Sequence, residues 1–582
     1  MKGYVVGLIL VLVVAASLAS ACASAPAPVA PATSKSGGEA SATAPASSAP
    51  AAKTSGEAQA AAKAPAQGGV PVLKLQGGDN GFPSPFTYIR GPGYARMSLI
   101  FDTLVWKDSQ GYIPWLATDW KASDDGKTWT FTLRDGVTWQ DGQPLTADDV
   151  VFSFDYMKKQ PATAPLSRGM EFIAGARKVD DKHVEIALTR PYAPFLGNLA
   201  ASVPIIPKHI WESVADPLKY TDKAALIGSG PYKLTSYDKA SGAYLYEANP
   251  DFWLGAPYVK RIELVPAADA LLALKQGQID AASLPTEGGV TDELIAPFKT
   301  ADFAMLDQKG EWNPVLQFNL SKPPYNDVKF RQAVAYAIDR DGLVNRLLQG
   351  RGEPGSLGWL PPANPMYNAN VEPYKADVAK AKALLDEAGY KDANGDGVRE
   401  MPDGKPLAMT LTFDSNGYAR IAELIRDSLK DVGIAVTLKP VDRATMDSQS
   451  AAGTFDAVVN YYGGLGGDPD YMRQAFSAKS PSKAFTRVQN YANARFEELA
   501  DQQLGVADEA KRKALLGEMQ SIVAKDAPVV PLYYPTSTWV YKPSVFDAWY
   551  FTPGGFGGGV PITLNKQAFV TGQKTGLKIK GQ

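Results

Sequence analysis

Few residues in this 582-residue chain combine the type and the spacing that covalent or metal chemistry needs. The two histidines, His183 and His209, share no helix face and sit in no zinc pattern. His183 falls in a strand-like stretch and His209 beside Pro207, both settings of structural histidines. Ser480-Pro-Ser-Lys483 and Lys574-Thr-Gly576 hold pieces of a serine nucleophile with a lysine partner. No Ser-x-Asn lies between them, and Pro481 gives the serine a loop-like setting. Gly126-Lys-Thr128 ends like a phosphate-binding loop, but Lys121 stands where the first glycine is needed. Asp392-Ala-Asn-Gly-Asp-Gly-Val-Arg-Glu-Met-Pro-Asp403 spaces its oxygen groups like a calcium loop, with Gly397 at the sharp turn. It carries Asp403 where that loop needs a bidentate glutamate, so the expectation is a polar turn with no metal. A hydrolase would need a nucleophile with a positioned base, and no such pair is legible. The expectation is a binding protein: no enzyme, and no cofactor.

Cys22 is the only thiol. It follows Lys2, the apolar stretch Val5 to Ala16, and small Ser20 and Ala21. A basic start, a short apolar core and small residues before a cut site make a secretory signal, too short to span a bilayer. The site resembles a bacterial lipobox, although leucine stands one place early, at Leu18, with Ala19 in its usual position. The resemblance implies lipidation at Cys22; an ordinary signal cut near a chance cysteine is the other reading. Residues 23–69 are Ala, Pro, Ser and Gly with a few charges and no aromatic residue, so they cannot bury a core. They read as a disordered tether, about 35–40 Å from end to end as a flexible coil.

Beyond the tether, a folded body must position whatever binds. Hydrophobic residues make up 45% of the chain and charged residues 21%, as packed domains require. Basic and acidic residues number 59 and 61, a formal net charge of -2, which leaves no electrostatic footprint for nucleic acid. Trp129 to Arg134 alternates like a half-buried strand, and Asp135-Gly136 is expected to turn it into Val137-Thr-Trp139 as a hairpin. Thr146-Ala-Asp-Asp149 reads as a capping box that opens a helix through Met157. Leu407 to Phe413, Tyr418 to Asp431 and Ile434 to Leu438 read as strand, helix and strand, a βαβ unit with parallel pairing. Asn326 or Asp327 can cap a helix with an apolar face of Val328, Ala333, Val334, Ala337 and Ile338. Arg331 and Arg340 are then expected on or near its polar side.

Four stretches, in this order, carry a resemblance. They are Trp129 to Val150, Gly228-Ser-Gly-Pro-Tyr232, Phe318 to Arg340, and Ala381 to Gly389. Together they resemble the large solute-binding proteins of ABC importers, family 5, the dipeptide, oligopeptide and nickel class. The likeness runs over roughly residues 70 to 550. It implies an α/β fold of two lobes, the large type II periplasmic-binding-protein class, with an extra domain inserted in lobe I. Transferred here, lobe I is 70–113, 228–310 and 535–582, the insert 114–227, and lobe II 311–534. Crossings between lobes fall near Glu311-Trp-Asn-Pro-Val315 and Pro531-Leu-Tyr-Tyr534. The resemblance also implies a monomer, lipid-anchored at the extracytoplasmic face of the cell membrane, whose partners are a solute and the permease subunits of an ABC transporter.

The ligand is expected between the lobes, on the strand Asp456 to Asn460 and the loop Tyr461-Tyr-Gly-Gly-Leu-Gly-Gly-Asp-Pro-Asp470. Glycines let backbone approach a ligand, and tyrosines offer flat faces with polar tips. The other reading is a flexible strand-to-helix connection with Asp468 as a cap. Candidate binding residues are Trp312, Asn313, Tyr461, Tyr462, Gly463, Gly464 and Asp468. Peptide binders of the family often hold the ligand's terminal amine with an aspartate three residues before this Asp-Pro. Leu465 occupies that place, so Asp468 or Asp470 would have to replace it from a shifted loop. An oligopeptide-like ligand is the first expectation and an oligosaccharide the alternative; nickel complexes are a third class on this scaffold.

Overall fold

The computed structural model describes residues 68–89, 92–108, 111–160, 169–284, 290–310, 312–465, 467–480, 487–488, 490–552 and 565–574. The signal, Cys22, nearly all of the tether, and parts of the Ser480 to Lys483 and Lys574 to Gly576 motifs lie outside the described residues.

Two large sheets organise the body. The first has eight strands. Leu73–Gln76, Arg261–Val265, Ala281–Ser283 and Ala304–Lys309 run in one direction, and Tyr533–Tyr541 runs against them between the last two. Alternation sets their faces: Leu73 and Leu75 are buried while Lys74 and Gln76 are not. Tyr533–Tyr541 is buried at every position, as a strand covered on both faces must be.

The second sheet has five strands, in the order Ala435–Val441, Ala408–Asp414, Ala457–Gly463, Trp312–Phe318 and Val529–Pro531. The expected βαβ unit is here: Ala408–Asp414 pairs parallel with Ala435–Val441 across the helix Ala419–Lys430. Ala457–Gly463 joins parallel on the other side, and Trp312–Phe318 runs antiparallel to it.

The chain passes from the first sheet to the second between Lys309 and Trp312, and returns between Pro531 and Tyr533. Strand direction then has a consequence. Ala304–Lys309 ends at the first crossing, so the carboxyl ends of all its parallel neighbours lie on that edge. Trp312–Phe318 begins there, so the carboxyl ends of the strands closing with Asp414, Val441 and Gly463 lie on it too. Both sheets thus turn the ligand-favouring edge of an α/β sheet toward the double crossing.

A separate four-stranded antiparallel sheet spans residues 117–188, with the helix Ala147–Lys159 against it. The capping box is formed, the Asp149 carboxylate accepting from Thr146 N at 2.8 Å. The expected hairpin at Asp135-Gly136 is not. Thr128–Leu133 pairs with Ala117–Ala122 and His183–Leu188, while Val137 and Trp139 turn into the core. Gly228 and Gly230 press on the carbonyl of Ile100, where a Cβ would come within 2.0 and 2.5 Å of the oxygen.

Two arginines correct the helix reading. Arg331 and Arg340 are 4% and 5% exposed rather than on a polar face. Arg331 donates to the carbonyls of Asp526, Ala527 and Tyr325, closing the end of the helix Glu509–Asp526. Arg340 donates to the carbonyls of Gly355, Pro373 and Tyr374. A guanidinium's many donors can satisfy several carbonyls at once, which makes its burial tolerable.

Candidate functional site

The crossing edge of the second sheet collects the candidate residues. Trp312 opens its strand opposite Gly463, and a Cβ on Gly463 would lie 2.8 Å from the indole. Glycine is therefore what lets the indole come this close to the backbone. Gly464 follows at φ +75°, a left-handed turn that suits glycine. The half-buried Tyr461 sits 6.1 Å from the Trp312 ring, measured between centroids.

Tyr462 departs from expectation. Successive strand residues face opposite ways, so Tyr461 and Tyr462 cannot both line one cleft. Tyr462 is 0% exposed and packs edge-on against Trp359 at 5.3 Å. Asn313, its cross-strand partner, is also fully buried. With its amide turned so that nitrogen meets carbonyl, Asn313 donates to Tyr533 O at 3.2 Å. It therefore ties the two crossing segments to each other.

Sequence reading missed the charge at this rim. Arg443 follows the strand Ala435–Val441, and its Nε donates to Asp414 at 2.6 Å. Its guanidinium lies 4.4 Å from the Tyr461 ring centroid and 5.4 Å from that of Tyr418. The Arg443 side chain keeps 31% exposure, whereas Asp414 keeps 3%. Asp442-Arg443 reads locally only as a helix start. Contact with a tyrosine two strands away has no local signal.

The loop beyond Gly464 behaves differently. Leu465 is buried, and its carbonyl accepts from Asn364 at 2.7 Å. Asp468 receives both terminal nitrogens of Arg512, at 2.7 and 2.6 Å. Asp470 receives Arg473 at 2.6 and 2.9 Å, with Gln474 and Gln503 completing its shell. Gln503 also accepts from Arg512, joining the two ion pairs. Burial opposes the charges of Asp470 and Arg473, but their pairing prevails and holds the carboxyl below and the guanidinium above their ordinary values. Neither aspartate is an open anchor for a ligand amine.

Segment 169–198 packs on Arg473, in the helix that follows the loop, and on residues 501–504. The Arg473 guanidinium is 5.8 Å from the Phe172 ring and 4.0 Å from Glu171. Ala193 N donates to Leu504 O at 2.6 Å, and Arg190 pairs with Asp501.

Other motifs stay apart from this edge. The carboxylates of Asp392, Asp396 and Glu400 lie within 4.8 Å of one another at the surface, and Asp392 accepts from the Gly395 and Gly397 amides. His183 pairs with Asp180, and His209 with Asp141. Among the described residues, no helix is long and apolar enough to cross a membrane.

Comparison with known proteins places this architecture. Residues 111–484 match the profile of "Bacterial extracellular solute-binding proteins, family 5 Middle". The dipeptide-binding protein of Escherichia coli K12 is 30% identical over 451 residues, 74% of this chain and 82% of that protein. DppA of Helicobacter pylori, solved with the peptide STSA, superposes with a TM-score of 0.69 at 25% identity, over 86% of this chain and 97% of that one. An oligopeptide-binding protein of Thermotoga maritima, solved with mannohexaose, gives 0.68 at 25% identity, over 86% and 98%. The two sheets joined by a double crossing, the profile match and the dipeptide-binding relative agree: this chain belongs to family 5 of the bacterial extracellular solute-binding proteins.

Proposed function

We propose that this protein is the extracytoplasmic receptor of an ABC importer, capturing an oligopeptide-like solute at the double crossing and delivering it to the permease. One observation carries the reading. Both sheets direct the carboxyl ends of their parallel strands to the crossings, and there the second sheet presents Trp312, Tyr461 and the backbone of Gly463. Glycine backbone offers hydrogen bonds to a peptide main chain whatever its side chains, and the flat rings cover its apolar parts. Peptide-binding relatives support the choice of ligand. Two lobes joined by hinge segments suit a receptor that closes on its ligand.

Cys22 is proposed as the lipid attachment point, with residues 23–69 as the tether that keeps the body near the permease. Cys22→Ala is expected to move the protein from membranes to the soluble fraction, and unchanged membrane association defeats the anchor.

A mixed pool of short peptides is expected to bind at micromolar affinity, roughly −8 kcal/mol. A pool at one hundred times its dissociation constant stabilises by about 2.7 kcal/mol, readable as a melting shift. The second reading, an oligosaccharide receptor, is favoured by the Trp312–Tyr461 pair and by the mannohexaose-bound relative. Stabilisation by cello- or xylo-oligosaccharides with none by peptides selects it.

A further inference from the structure

Two large apolar cores divide the chain almost cleanly. One gathers buried side chains from residues 70–281 and 539–570, so the four-stranded region and the first sheet share it. The other gathers side chains from residues 315–534, around the second sheet. Leu504 crosses the division. It is 2% exposed and packs in the first core, whereas Phe496, Leu499 and Ala500, just before it, pack in the second. The helix Ala494–Gln502 hands over to a 3-10 turn, Gln503–Gly505, and that turn presents Leu504. Gln503 fixes the turn, donating to Asp470 at 3.0 Å and accepting from Arg512 at 2.9 Å.

The chain beside Leu504 is tied to the four-stranded region as well. Ala193 N donates to Leu504 O at 2.6 Å. Arg190 donates to the Asp501 carboxylate, and to the Asp501 carbonyl at 2.8 Å. A Cβ on Gly505 would lie 3.8 Å from Pro191 Cβ, so the two segments pass in van der Waals contact. These groups lie outside the crossings at 309–312 and 531–533. The four-stranded region belongs to the first core, so a rotation about the crossings has to draw Leu504 out of that core and break the Ala193 and Arg190 bonds. Every partner in these contacts is a group of this chain, so they need no ligand to form.

We propose that Leu504, seated in the first core, and Arg190, clamped on Asp501, form an interlobe latch that closes with or without ligand and gates ligand entry and release. This rests on the two-lobed receptor reading above. A contact made equally in the free and the liganded closed forms has no differential effect on binding, so it leaves affinity nearly unchanged. It slows both rates instead, because entry and exit each pass through the opened form.

The test reads the interlobe distance and the two rates. Cys22 is the only thiol, so in Cys22→Ala the added pair Lys159→Cys and Lys513→Cys, both at exposed positions, carries unique spin labels. Without peptide, this protein is expected to show the interlabel distance of this structure. Leu504→Ala and Arg190→Asp should move part of the population to longer distances, with melting temperatures confirming that both fold. Adding Asp501→Arg to Arg190→Asp should return part of it. With a mixed pool of short peptides in stopped flow, Leu504→Ala is expected to speed association and release alike by about tenfold or more, the scale of one buried leucine side chain. Arg190→Asp should speed both by about threefold, the scale of an exposed pair. A longer distance in the peptide-free parent overturns the latch, as do variant distances and rates equal to its own, and a peptide receptor stands in either case. Peptides that bind none of these proteins overturn the peptide reading, while the peptide-free distances still decide the latch.

Discussion

Two stretches of one loop, a few residues apart, have opposite fates. At Tyr461 to Gly464 the second sheet ends in a half-buried tyrosine and two glycines, with Trp312 and Arg443 alongside. At Asp468 to Asp470 the chain plunges into two linked ion pairs, with Phe172 and Glu171 beside Arg473. Both stretches are polar and glycine- or aspartate-rich, so composition does not separate them. What separates them is how deeply packing from distant elements covers them. The first stretch keeps a half-buried ring and a partly exposed guanidinium at the rim. At the second a ligand would have to break a buried pair.

The largest effect that would break this contrast is at Asp470. Asp470→Ala leaves Arg473 buried without its carboxylate and is expected to destabilise the fold by about 3–5 kcal/mol. Urea unfolding measures it, and a loss below 1 kcal/mol would place the pair with ordinary surface bridges. The next is at Gly463. Gly463→Val must displace the Trp312 ring, with overpacking strain of about 1–3 kcal/mol. Peptide affinity should fall further than stability does, and wild-type affinity in the variant would remove Trp312 from the site.

Acid sharpens the contrast more gently. The depressed carboxyl of Asp470 gives stability that is complete above the ordinary aspartate value, about 3.9, and is lost as pH falls through its lower folded value. Burial raises Glu171 instead, so its ionisation opposes folding at neutral pH. That opposition is relieved as pH falls through the raised folded value toward the ordinary glutamate value, about 4.3. Glu171→Gln should therefore raise stability at neutral pH and flatten only this upper arm of the profile. Unfolding midpoints taken across the acid range decide it, and a variant profile matching wild type counts against the partial desolvation of Glu171. The smallest effect concerns the surface loop at Asp392. A chelator is expected to leave the melting temperature unchanged, because the loop lacks the glutamate that completes a calcium shell. A drop reversed by calcium would turn that loop into a structural site.

Local pattern decided a great deal. Thr146 and Asp149 meet because a capping box is a four-residue motif, and the βαβ unit over 407–441 follows from its periods of two and 3.6. The failed hairpin at Asp135-Gly136 shows the limit. A turn signal permits a reversal, but the pairing of Thr128–Leu133 was settled by His183–Leu188, some fifty residues on. Arg331 and Arg340 show it again, since helix periodicity placed them outward and distant carbonyls drew them in.

At the candidate site, sequence by itself gave the residue types: two tyrosines, the glycines, the aspartates, and Trp312 beside a crossing. It also gave Leu465 where a carboxylate was expected. Only the tertiary structure chose among them. Strand alternation turned Tyr461 to the rim and Tyr462 to the core, and cross-strand register set Gly463 under Trp312. Arg443 reached Tyr461 because parallel strands of one sheet end on the same edge, and Arg512 and Arg473 closed off Asp468 and Asp470. The physical reason is the same in each case. A side chain's type and local periodicity are written in neighbouring residues, while its burial and its electrostatic partners depend on contacts that form only when remote strands and helices pack.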